Sequence, residues 1–202
     1  MADLFDATAA AGDHATGSLS AMRRDAEGCT RCPLYRHATR TVFGEGPRDA
    51  PVVFVGEQPG DQEDLASRPF IGPAGQLFDR ALEQAGLDRR RAYVTNAVKH
   101  FKHEARGKRR IHKKPNAGEV RACRFWLEGE LTAIKPDLVV ALGATAAQAL
   151  AGRAVPVMKL RGPFAFPARK GFITVHPSLL LRIPDADSKE REYRAFLRDL
   201  RR

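Results

Sequence analysis

Short, wholly apolar runs alternate along the chain with longer stretches whose apolar residues recur every three or four positions. Residues 51–55 (PVVFV) form a continuous apolar run closed by Gly56, the pattern of a strand covered on both faces. Residues 138–142 (LVVAL), leading into Gly143, repeat that pattern, and residues 92–96 (AYVTN) and 172–175 (FITV) read as two further short strands. Between them, residues 75–86 (GQLFDRALEQAG) show helical spacing. Residues 116–135 read as a helix opened by Asn116, with Glu119 three residues on in a capping-box arrangement, and stopped by Pro136. An Ala-rich helix follows Gly143, and a last helix covers residues 189–202.

Strands separated by helices, at spacings too long for hairpins, require right-handed crossovers. The pattern therefore predicts an α/β fold of three αβα layers around a central, mostly parallel four-stranded sheet. Ligands of such sheets sit beyond the carboxyl ends of the strands. Polar or Gly-rich segments occupy three of those ends: GEQPGDQED at 56–64, Asn96, and His176-Pro177-Ser178. Residues 1–18, rich in Ala, Gly and Asp, offer no apolar face and read as a mobile arm, leaving residues 19–202 as a single domain.

Charge adds a second feature. The chain of 202 residues carries 34 Lys and Arg against 24 Asp and Glu, a formal net charge of +10. Eight of those cations and one Glu lie between Lys99 and Lys114 (KHFKHEARGKRRIHKK), so the rest of the chain is close to balanced. Such a segment suits a loop that follows a phosphate backbone, and a merely solvated basic loop would show the same composition. Within it, the surrounding cations disfavour protonation of His112, and a neutral imidazole can serve as nucleophile or base. No run long enough to span a membrane and no secretory leader pattern is present, and the 3 cysteines suit a reducing compartment. The expectation is a cytoplasmic protein, monomeric and independent of membranes.

Two further groups could carry chemistry. Glu57 and Asp61 place acid or base groups at a strand end among glycines, although a plain acidic turn would read the same way. Cys29 and Cys32 have metal-ligand spacing, Cys123 lies inside the helix opened by Asn116, and His100 is the best-placed fourth ligand. Three thiolates and an imidazole suit zinc or an iron–sulfur cluster, and spacing does not separate the two.

Four ordered segments together resemble the uracil-DNA glycosylase superfamily, in its family-4-like, iron–sulfur-containing branch: GEQPGDQED, FIGPAG (70–75), VTNAVKH (94–100) and HPSLLLR (176–182). Where that branch has a cysteine after VTN-x-x-K this chain has His100, and KRRIH (108–112) is inserted in the loop that follows. Both departures are similar to UdgX-type proteins, in which the KRRIH histidine becomes joined covalently to DNA after uracil is released. The resemblance implies the uracil-DNA glycosylase-like fold and a single-turnover reaction on uracil-containing DNA, preferably single-stranded, with free uracil as product. It implies that His112, Glu57 and His176 are catalytic, that Gln58, Asp61, Phe70, Asn96 and Arg110 surround the substrate, and that Lys108, Arg109 and Ser178 meet the DNA. It also implies a [4Fe-4S] cluster held by Cys29, Cys32, His100 and Cys123.

Overall fold

In the computed structural model, which describes residues 14–202, five strands form one sheet in the order β2-β1-β5-β7-β6. They are β1 (Val52–Gly56), β2 (Ala92–Asn96), β5 (Leu138–Leu142), β6 (Gly162–Phe166) and β7 (Arg169–Thr174). Four run parallel, and β6 pairs antiparallel with β7 at one edge. The three-layer α/β architecture is as the apolar pattern predicts, with five strands instead of four. The unforeseen strand β6 contains Pro163, which an edge strand tolerates because it leaves no ladder donor missing inside the sheet. Its tight connection to β7, Pro167-Ala168, places Ala168 at φ 58°, a conformation usually marked by glycine, so Pro167 was the one turn signal present.

Side chains alternate between the two faces, as strand geometry requires. Val53, Val55, Val139, Ala141 and Ile173 join one core with α1 (Leu19–Glu27), α4 (Ala117–Ile134) and α5 (Ala144–Ala151). Phe54, Val94, Val140, Leu142 and Phe172 join the other, beneath α3 (Pro73–Ala85), α6 (Pro177–Arg182) and α7 (Ala186–Leu200). The Asn116 capping box is present: its side chain accepts from the Glu119 N–H, while the Glu119 carboxylate accepts from the Asn116 N–H at 2.7 Å.

The basic segment is not an irregular loop. It folds into a separate hairpin, β3 (His103–Arg106) and β4 (Arg109–His112), turned at Gly107-Lys108 with Gly107 at φ 58°. Glycine at the first turn position suits a two-residue hairpin, and that is the signal the charge reading obscured. Of the stretch read as an arm, residues 1–13 lie outside the described residues. Ala15 is buried against α4 and its N–H donates to the Phe125 carbonyl, and Ser18 caps α1 by accepting from the Ala21 N–H. Among the described residues, no helix is long and apolar enough to cross a membrane.

Candidate active site

The carboxyl ends of β1, β2, β5 and β7 open onto a cavity of about 750 Å³. Glu57, Gln58, Asp61, Phe70, Asn96, His112, His176 and Ser178 all line it, so residues from five separate segments of the sequence meet at one place.

Close backbone approach builds the floor. A Cβ at Gly56 would stand 2.4 Å from Asn96 Oδ1 and 2.7 Å from Phe70 Cζ, so only glycine lets those two side chains meet over the end of β1. Phe70 sits at φ 58°, and a Cβ at Gly75 would stand 1.8 Å from its carbonyl oxygen. An aromatic residue in the left-handed region is strained, and its ring is held by Phe78 at 5.4 Å and faces His176 at 6.2 Å between centroids. Asn96 is buried, and the flat Phe70 ring and the Asn96 carboxamide bound the same space.

His176 caps the short helix α6. Its Nδ1 accepts from the Ser178 N–H at 3.1 Å and lies 2.8 Å from Ser178 Oγ. With Nδ1 engaged as acceptor, the ring proton resides on Nε2, which leaves a donor for a ligand. Burial, reinforced by Arg182 and His112, pushes the His176 pKa down to about 4, so the ring is neutral at physiological pH. Ser178 therefore orients the imidazole as well as standing on the cavity wall.

The hairpin brings the remaining group. Period-two alternation puts Arg110 and His112 on one side of β4 and leaves Ile111 largely exposed on the other. The Arg110 guanidinium donates to Asp61 Oδ1 at 2.6 Å, to Asp64 Oδ2 at 2.6 Å and to Thr39 Oγ1 at 2.9 Å. Gln58 ties the base of the hairpin, accepting from the Lys102 N–H at 3.0 Å and donating to the Lys113 carbonyl at 3.0 Å. Arg110, Asp61 and Gln58, read from the sequence as substrate contacts, thus meet one another's elements first: Asp61 and Gln58 border the cavity, and their polar atoms hold β3 and β4 in place.

His112 Nε2 lies 3.4 Å from Glu57 Oε1, beyond a firm hydrogen bond but within reach of a small shift. Thr145 Oγ1 donates to Glu57 Oε2 at 2.6 Å, which fixes the carboxylate. Although the side chain is 45% exposed, its partial desolvation lowers the His112 pKa below its ordinary value, Glu57 opposes that, and Arg182 adds to it. The shift has the expected direction, but its first cause is desolvation and the cation that contributes is Arg182 on α6, not the neighbouring basic residues of the hairpin.

The cations divide into two sets. Lys99 is wholly buried against Glu130, Lys102 pairs with Glu119, and Lys113 pairs with Glu104. Lys108 and Arg109 lie exposed at the hairpin turn, and Arg106 and Lys114 are exposed as well. The phosphate-tracking surface expected of the whole segment is thus smaller than its composition suggests.

Thr39, Asp64 and Thr145 were missed by sequence reasoning. Asp64 had a signal, since Asp61 and Asp64 stand three apart on α2 (Asp61–Ala66) and so share a face. Burial alone would raise the Asp64 carboxyl, but bonds from Thr39 and Arg110 hold it below its usual value. Asp64→Ala leaves Arg110 and the Thr39 and Arg40 N–H groups without their acceptor, and is expected to cost about 3 kcal/mol in denaturant unfolding. A loss below about 0.5 kcal/mol, the range of an ordinary surface substitution, would contradict that role.

Cys29, Cys32 and Cys123 are buried free thiols near enough to one another to raise the pKa of Cys32 and Cys123; burial is the first cause, and it carries Cys123 up to about 12. The Trp126 indole N–H donates to Cys29 Sγ and the Lys99 N–H to Cys123 Sγ, each at 3.1 Å. Thr41 Oγ1 donates to the Ala26 carbonyl, so it accepts from His100 Nε2 at 2.9 Å, and the proton of His100 lies on that nitrogen. Its Nδ1 is buried with no partner among the described residues. An open imidazole lone pair and sulfurs aimed at by N–H donors are donor types of the kind that metal groups take. Among the described residues, no three His, Cys, Asp or Glu side chains converge closely enough to grip a single ion.

The sequence matches the profile of the uracil DNA glycosylase superfamily over residues 43–201, which includes every cavity residue named above. The chain belongs to that superfamily. It is 41% identical over 157 residues to the type-4 uracil-DNA glycosylase of Thermotoga maritima, covering 76% of this chain and 78% of that one. It is 36% identical over 165 residues to the type-4 uracil-DNA glycosylase of Pyrobaculum aerophilum, covering 77% and 81%. The stretch matched to that superfamily carries Phe70, Asn96, His176 and the hairpin His112, all of which line the same cavity.

Proposed function

We propose that this protein excises uracil from DNA and that His112 then bonds to C1′ of the sugar left behind, so that each molecule acts once. The observation that carries this reading is the placement of His112, a neutral imidazole held by a pinned hairpin on the wall of the cavity that Phe70, Asn96 and His176 also line.

A flipped or single-stranded nucleotide reaches the cavity, and a base outside a duplex needs no unpairing, so single-stranded DNA is the preferred form. Lys108 and Arg109, exposed at the hairpin turn, meet the phosphates beside it, and Ser178 meets the DNA from the cavity lining. Phe70 stacks on the base. The Asn96 carboxamide offers one acceptor and a donor group, which match the N3–H and O4 edge of uracil. His176 donates from Nε2 to O2, where negative charge grows as the C1′–N1 bond breaks and uracil leaves with the electron pair. The Glu57 carboxylate, fixed by Thr145, stabilises the cationic sugar. His112 then adds a ring lone pair to C1′, and the resulting imidazolium gives its remaining N–H proton to the Glu57 carboxylate. Free uracil and a protein–DNA conjugate are the products.

Mixing the protein with an excess of uracil-containing single-stranded oligonucleotide tests the reading. One uracil released per protein, together with a conjugate stable to heat and detergent, is expected. Release of many uracils per protein without a conjugate would establish the turnover reading, to which the names of the type-4 relatives are equally suited.

The reaction needs neutral His112, whose proton affinity is lowered in the folded protein. Conjugation is therefore expected to fall as the pH is lowered, with its midpoint below the ordinary histidine value of 6.5. A midpoint above 6.5, read by quenched-flow gel assay, would contradict a desolvated nucleophile.

Cys29, Cys32, His100 and Cys123 would hold a [4Fe-4S] cluster. Such a group would supply cross-linking of three chain segments, since cleavage of a glycosidic bond involves no electron transfer. Purified protein is expected to be brown and to contain about four irons per chain. Colourless protein with one zinc and no iron would overturn the assignment.

A further inference from the structure

Behind the cavity wall lies a buried polar cluster that the reaction above does not use. The Lys99 ammonium and the Glu130 carboxylate are 1% and 0% exposed and stand 2.5 Å apart. Lys99 Nζ also donates to Thr95 Oγ1 at 2.6 Å and to the Asn96 carbonyl at 2.9 Å, which uses all three of its donors. Glu130 accepts in addition from the Gly44 N–H at 2.9 Å, from Tyr93 OH at 3.0 Å and from Thr95 Oγ1 at 3.0 Å. Every member is satisfied, and the space is so tight that a Cβ at Gly44 would stand 2.5 Å from Glu130 Oε1.

Stability is a weak reason for such a pair. Removing two charges from water costs about as much as their attraction returns, and apolar replacements of buried pairs are often neutral or stabilising. A saturated network does fix geometry, because none of its members can move without losing a bond in a low-dielectric surrounding. What it fixes here is specific. Lys99 grips the backbone carbonyl of Asn96 itself, and Thr95, the residue before it, bridges Lys99 to Glu130. On the far side, the Ala97 N–H donates to the Gly56 carbonyl and the Val98 N–H to the Glu57 carbonyl. The peptide that carries the Asn96 carboxamide is thus clamped between β1 and α4.

We propose that Glu130, acting through Lys99 and Thr95, is a positioning residue that holds Asn96 in register with the base edge. The inference rests on the reading of Asn96 as the group that meets uracil. It assigns the pair to the rate of base release rather than to DNA affinity, because the phosphate contacts of the hairpin lie elsewhere.

The test measures free uracil in single turnover, where amplitude counts folded molecules and the rate constant reports the geometry within them. Lys99→Met with Glu130→Gln removes both charges and the tether at nearly constant volume, and Thr95→Val removes one bridging hydroxyl at constant shape. A displacement of about 1 Å at a reacting group costs on the order of 100-fold, so the double variant is expected to lose about 10- to 100-fold in rate constant, and Thr95→Val less. Affinity for uracil-free DNA should stay unchanged for both. Unaltered rate constants in both variants, whatever the amplitude or melting temperature, would overturn the proposal by showing a role in stability alone. No uracil release by the unaltered protein would instead overturn the activity on which the inference stands.

Discussion

His112→Ser is expected to abolish the heat-stable protein–DNA conjugate while leaving uracil release intact. In the proposed reaction Phe70, Asn96 and His176 handle the departing base, and Arg110 still ties the hairpin to Asp61 and Asp64, so the variant is expected to keep its cavity. Serine leaves an opening beside Glu57, whose carboxylate stays fixed by Thr145 and can accept a proton from an entering water. Water then captures the sugar, the product dissociates, and uracil released should exceed one per protein. A denaturing gel and a uracil count read both arms. Persistence of the conjugate in the variant would show that another nucleophile captures the sugar.

Asn96→Ala is expected to slow uracil release by about 10²–10³-fold, the usual consequence of deleting one pre-placed polar partner of the transition state. The effect should fall on the rate constant and spare DNA affinity, since Lys108 and Arg109 at the hairpin turn are untouched. Its backbone bonds to Lys99 and to β1 remain, so melting is expected to change little. Single-turnover kinetics beside a binding titration separate the two effects, and a variant that releases uracil at the original rate would remove Asn96 from base recognition.

The sheet was legible because its strands are buried on both faces, which leaves uninterrupted apolar runs at 51–55 and 138–142 and mostly apolar ones at 92–96 and 172–175. The edge strand β6 was not, since an edge demands little of its residues: Pro163 is tolerated, two of its five positions are exposed, and its turn uses Ala168 in place of glycine. The hairpin was hidden by its charge, which is the same whether the backbone is paired or free. In the site, residues at strand ends were readable from glycine and polar punctuation after apolar runs. The supports were not: Thr39 and Thr145 act through tertiary contacts, and a lone threonine carries no local mark of the carboxylate or guanidinium it will meet. Lys99 shows the opposite failure. Counted as part of a surface charge, it is a core residue whose burial depends on Glu130, 31 positions away.

Peptide mapping of the conjugate addresses the central claim most directly. The protein is allowed to react with uracil-containing single-stranded DNA, both components are digested, and the linked peptide is sequenced by mass spectrometry. The expected species is a peptide carrying a base-free deoxyribose on His112, with the imidazole attached at C1′ and the mass of uracil absent. A sugar carried by any other residue, or an unmodified His112 peptide in full yield, would contradict capture by the hairpin histidine.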